Sequence, residues 1–143
     1  MVNKMLLATD GSENALRAAR HAAALMKKNP DLSLTILTVR SPIENLTKFY
    51  PRAASQEIDA GIQKMAESAV NRTKAVFDEA GLQVETEIAE GDAGKTIASY
   101  AKEKGFGQII MGTRGLSNLS GIIMGSVSHQ VLHFTECPVL LVK

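Results

Sequence analysis

The stretch Lys4–Val39, KMLLATDGSENALRAARHAAALMKKNPDLSLTILTV, decides the architecture. Its two ends, Lys4–Thr9 and Leu32–Val39, are short apolar runs, which is how strands buried on both faces read. Between them, Ser12–Lys28 sets Ala15, Leu16, Ala19, Ala22, Ala23 and Met26 at steps of three and four, the spacing of one face of a helix. Asn29-Pro30-Asp31 then breaks the helix before the second strand. A strand, a helix and a strand in this order form a crossover unit, and its hand is right.

The alternation continues outward from this unit. Strands are expected at Val84–Ala89, Gln108–Met111 and Pro138–Val142, and helices at Ala54–Ala80, Ala93–Lys104 and Ser126–Phe134. Gly81 and Gly105 follow two of the helices, where a left-handed residue ends a helix most easily. Val84-Glu85-Thr86-Glu87-Ile88 alternates polar and apolar residues, as a half-exposed strand near a sheet edge does. The pattern predicts an α/β protein: five parallel strands with helices on both faces, in three layers. Arg40–Arg52, with Pro42 and Pro51, is the longest irregular piece and follows the second strand. It is expected at the carboxyl edge of the sheet, where open α/β sheets bind ligands.

Composition narrows the function. The 143 residues are 45% hydrophobic, enough for one core and one domain spanning 1–143. Sixteen Lys and Arg against fifteen Asp and Glu leave a net charge of +1, too little for a nucleic-acid partner held by bulk electrostatics. Aromatics are 4%, so base-stacking platforms are not expected. One Cys precludes an intrachain disulfide, and the opening apolar run is too short for a signal or membrane segment. A soluble, cytoplasmic protein without a membrane partner is expected.

Two stretches at expected strand ends carry the chemistry. Thr9-Asp10-Gly11-Ser12 places a carboxylate where it can accept hydrogen bonds from a ribose hydroxyl or an adenine amino group. Asp10 or Ser12 serves equally well as a cap for the following helix. Met111-Gly112-Thr113-Arg114-Gly115, nine further residues, and then Gly125-Ser126-Val127-Ser128 follow the fourth strand. Gly112 and Gly115 permit positive φ and close approach of a ligand to the backbone. Gly125 and Ser126 open the last helix, whose free N–H groups and dipole favour a phosphate.

Gly112-x2-Gly115-x9-Gly125-Ser126 resembles the nucleotide-binding motif of the universal stress protein family. The likeness covers the whole chain, through LLATDGSENALRAARHAAAL, LTILTV, EGDAGKTIASYA and IIMGTRG…GSVSHQVL…CPVLLVK. It implies a Rossmann-like fold with strand order 3-2-1-4-5, and, with both halves of the motif intact, the ATP-binding kind of member. By that resemblance, Asp10 and the Val39 backbone hold adenine and ribose, with Ala8, Thr9 and Met111 in the adjoining wall. Ala8 stands where some ATP-binding relatives have Pro. Gly112 and Gly115 lie against the ribose and first phosphate, and Gly125, Ser126, Val127 and Ser128 hold the phosphates with bridging Mg²⁺. Arg114 reaches towards a phosphate. A homodimer through the last strand, Val139–Val142, and an unidentified protein partner are also implied.

Three other patterns compete for a function. Ala89-Glu90-Gly91-Asp92-Ala93-Gly94-Lys95-Thr96 lacks the first glycine of a P-loop, and Asp92 reads better as a helix cap. His129 and His133 have zinc-site spacing, but Gln130 stands where the hydrolytic motif has its Glu. Cys137 has no basic neighbour within three residues to activate it. The expected function is a nucleotide-dependent regulatory switch, with a slow ATPase or autophosphorylating protein as the alternative and a purely structural dimer as a third reading. Asp10, Arg114, Ser126, Ser128 and His129 form no recognisable phosphoryl-transfer set.

Overall fold

The computed structural model describes residues 3–44, 54–114 and 124–143. Its elements are β1 (Lys4–Ala8), α1 (Glu13–Lys28), β2 (Ser33–Arg40), α2 (Ser55–Glu79), β3 (Glu85–Glu90), α3 (Ala93–Glu103), β4 (Gln108–Gly112), α4 (Ser126–Phe134) and β5 (Val139–Val142). The strands form one parallel sheet in the order β3-β2-β1-β4-β5. That is the expected order, and it makes β1 the first strand with neighbours reached in opposite directions.

Alternation along each strand divides the core in two. Met5 and Leu7 of β1, with Ile36 and Ile110, face α1 and Phe77 of α2. Leu6 and Ala8, with Leu37, Ile109 and Met111, face Ile97 and Ala101 of α3 and Val131 of α4. Ala18, Ala19 and Ala22 of α1 are fully buried, so small side chains bring that helix close to the sheet. Gly81 and Gly105 have φ of +71° and +73°, as residues that end helices by turning left-handed.

The two sheet edges differ. β3 carries Glu85, Glu87 and Glu90 in exposed positions, whereas β5 is four half-buried apolar residues. The acidic edge is felt by Tyr100 on α3, whose phenol is pushed above its ordinary value by burial, then by Glu87 and Glu85.

Asp92 corrects an expectation. It occupies the N-cap position of α3, but its side chain makes no capping bond. The carboxylate is exposed to water, and the first turn closes through Thr96 N–H donating to the Asp92 carbonyl at 2.8 Å. Gly94, the glycine that invites a P-loop reading, is buried where a Cβ would overlap Gln130 of α4. It is there for a close helix crossing.

Candidate functional site

Strand order reverses between β1 and β4, and a cleft of about 290 Å³ opens at their carboxyl ends. Ala8, Thr9 and Asp10 line it from β1, Val39 from β2, Met111, Gly112 and Arg114 from β4, and Gly125, Ser126, Val127 and Ser128 from the start of α4. These are all the residues nominated from sequence that fall in the described part. Gly115 lies outside the described residues, as does most of Arg40–Arg52. Ala15, Leu37, Ala93 and Ile97 also line the cleft. They were not nominated because they look like any other core residue in the sequence.

The lining is divided by chemistry. Ala8, Leu37, Val39, Ile97 and Met111 make an apolar slot, with no aromatic ring among the described lining residues. Asp10 and Arg114 are the charged groups of that lining. One Asp10 oxygen, Oδ1, accepts from the Ser12 N–H at 2.9 Å. The other has no protein partner among the described residues and is left to accept from something else. Ser12, not Asp10, caps α1, accepting from Ala15 N–H at 3.2 Å.

At the far end of the cleft stands the N-terminus of α4. Gly125 is its N-cap and offers no capping side chain. The Ser126, Val127 and Ser128 N–H groups lie in the first turn and have no acceptor among the described residues, which leaves them as open donors at the positive end of the helix dipole. Ser126 is exposed, and its hydroxyl has no partner among the described residues. Ser128 is different: its hydroxyl is buried and donates to the Gly112 carbonyl at 2.9 Å. Its expected service to a phosphate is therefore limited to its backbone N–H.

Gly112 also corrects an expectation. It is not among the positive-φ glycines. A Cβ there would collide with the Asn14 carboxamide and come within 3.1 Å of the Asn14 carbonyl carbon. Its lack of a side chain serves a neighbour in the fold. His129 and His133 are exposed on α4, and among the described residues no group of three His, Cys, Asp or Glu side chains converges.

The family model described as the universal stress protein family matches residues 1–143. Universal stress protein YxiE of Bacillus subtilis is 36% identical, over all of this chain and all of its own. The solved structure of MJ0577, a universal stress protein of Methanocaldococcus jannaschii, superposes with a TM-score of 0.85 at 29% identity. That match covers 100% of this chain and 96% of the other. A universal stress protein solved in complex with cAMP superposes with a TM-score of 0.72 at 25% identity, covering 99% of this chain and 97% of its own.

Proposed function

The chain belongs to the universal stress protein family, and on that premise we propose that it is a regulatory protein that binds ATP in the cleft between β1 and β4. The observation that carries this reading is the pairing of an apolar slot with three open N–H donors at a helix start. Adenine suits a slot walled by Val39, Leu37 and Ile97, and the unpaired Asp10 oxygen can accept from a ribose hydroxyl. Phosphates suit the Ser126, Val127 and Ser128 N–H groups. The relative solved with cAMP supports an adenosine phosphate as the ligand class. Asp10 is the only carboxylate among the described lining residues, so Mg²⁺ would arrive on the phosphates and not in a protein cage. The apolar edge strand β5 supports a homodimer formed along Val139–Val142. Occupancy of the cleft regulates a protein partner only if that partner prefers one of the two states.

The test is release of nucleotide by acid from the purified protein, followed by calorimetric titration with Mg-ATP. Bound adenine nucleotide and saturable heat are expected. No nucleotide and no heat at about 1 mM ATP overturn the proposal.

A further inference from the structure

Asn14 is the second residue of α1, far in sequence from the glycine motif, yet its carboxamide joins α1 to the chain after β4 and to the end of β5. Its Oδ1 accepts from the Arg114 N–H at 2.7 Å. Its Nδ2 donates to the Val142 carbonyl at 3.2 Å. Only this orientation of the amide satisfies both partners, since an oxygen facing Val142 and an NH₂ facing Arg114 would repel twice. The Val142 carbonyl also accepts from the Thr113 N–H at 3.0 Å, so its two lone pairs are both used. Gly112 lacks the Cβ that would displace the carboxamide.

Gly112 and Thr113 are also tied to the start of α4. Ser128 donates its hydroxyl to the Gly112 carbonyl, and the Gly125 N–H donates to the Thr113 carbonyl. The run 112–114 is thus held by the start of α4 at Gly112 and Thr113, by the end of β5 at Thr113 and by Asn14 at Arg114. The open N–H groups of α4 have their place in the cleft through this frame.

We infer that Asn14 is a positioning residue for nucleotide binding: it locks the start of the glycine loop to the end of β5 and so fixes the phosphate end of the cleft. It need not touch the nucleotide. The inference rests on the nucleotide reading proposed above. Its effect falls on the outer phosphates more than on the adenosine, because the adenosine slot is walled by residues that Asn14 does not hold.

The experiment compares Asn14→Ala and the space-filling Asn14→Leu with the wild type, titrating each folded protein with Mg-ATP and, separately, with AMP. Both variants are expected to lose about tenfold more affinity for Mg-ATP than for AMP, the scale of one lost hydrogen bond in a charged site. Amide exchange at Arg114 is expected to quicken in both. A second reading needs no nucleotide: Gly112→Ala is expected to lower the urea midpoint less in the Asn14→Ala background than in the wild type, because the obstructing carboxamide is gone. A lowered midpoint with unchanged affinity for both nucleotides would show a merely structural role and overturn the inference. So would strictly additive effects of the Asn14 and Gly112 substitutions. A wild type that binds neither nucleotide overturns the reading of the cleft, whereas a wild type that binds both as well as its variants overturns the inference alone.

Discussion

The two rims of the cleft are built from the same kinds of residue and are in opposite states. At the β1 rim the hydrogen bonding is closed. Thr73 donates to the Ala69 carbonyl at 2.8 Å, so the 2.9 Å contact with Thr9 must be a donation from Thr9. Thr9 in turn accepts from the Gly11 N–H at 3.1 Å, and Thr38 donates to the Thr9 carbonyl at 3.0 Å. Only one oxygen of Asp10 is left over. At the α4 rim three N–H groups and the Ser126 hydroxyl are left over among the described residues. A saturated rim holds shape, and an unsaturated rim beside an apolar slot is where a charged ligand gains most. Similar composition therefore does not mean similar work.

Three substitutions can break that contrast. The largest effect is expected at Gly11, which has a φ of +77° and would bring a Cβ to 2.9 Å from the Ala69 Cα. Gly11→Ala should destabilise the fold by about 2–4 kcal/mol, combining left-handed strain with overpacking. Urea unfolding reads this directly, and a loss below about 1 kcal/mol would mean that α2 yields easily there.

Ser126→Asp comes next, with effects of opposite sign. A carboxylate in the first turn of α4 should stabilise the empty protein by about 0.3–1 kcal/mol through the helix dipole. The same charge should weaken Mg-ATP binding about a hundredfold at low salt. Thermal unfolding and calorimetry on one sample measure both. Binding unchanged by the new charge would place the phosphates elsewhere.

Thr73→Val is the smallest of the three. It keeps the side-chain shape but leaves the buried Thr9 hydroxyl without an acceptor, at about 1–2 kcal/mol. Affinity for Mg-ATP should stay within about twofold. A large fall in affinity at equal stability would show that the β1 rim is not merely a wall.

Much of this was legible in the sequence, and what escaped has a common cause. The Ala spacing of α1 and the alternation of Val84–Ile88 are local patterns, and they reported the buried helix face and the edge strand correctly. The glycines and helix start after β4 are legible locally, as is Asp10 at the end of β1, whereas Val39 and the wall residues Ala8, Thr9 and Met111 follow from the family resemblance. The second roles of Gly112 and Ser128 are not local, because each answers to a distant group: Gly112 to Asn14, and the Ser128 hydroxyl to the Gly112 carbonyl. Asn14 and Thr73 escaped for the same reason. Their partners lie 100 and 128 residues away for Asn14 and 64 residues away for Thr73. An Asn early in a helix and a Thr late in one carry no local sign of such a contact.

The double use of the Val142 carbonyl has a consequence for synthesis. Domains begin to organise as the chain leaves the ribosome, amino-terminal parts first. The β1 rim draws on Thr9, Gly11, Thr38, Ala69 and Thr73, so its groups are all present once residue 73 has emerged. The frame around Gly112, Thr113 and Arg114 cannot close until Val142 has cleared the exit tunnel. The β1 rim can therefore form during synthesis before the frame beside α4 does, and the two rims mature in that order.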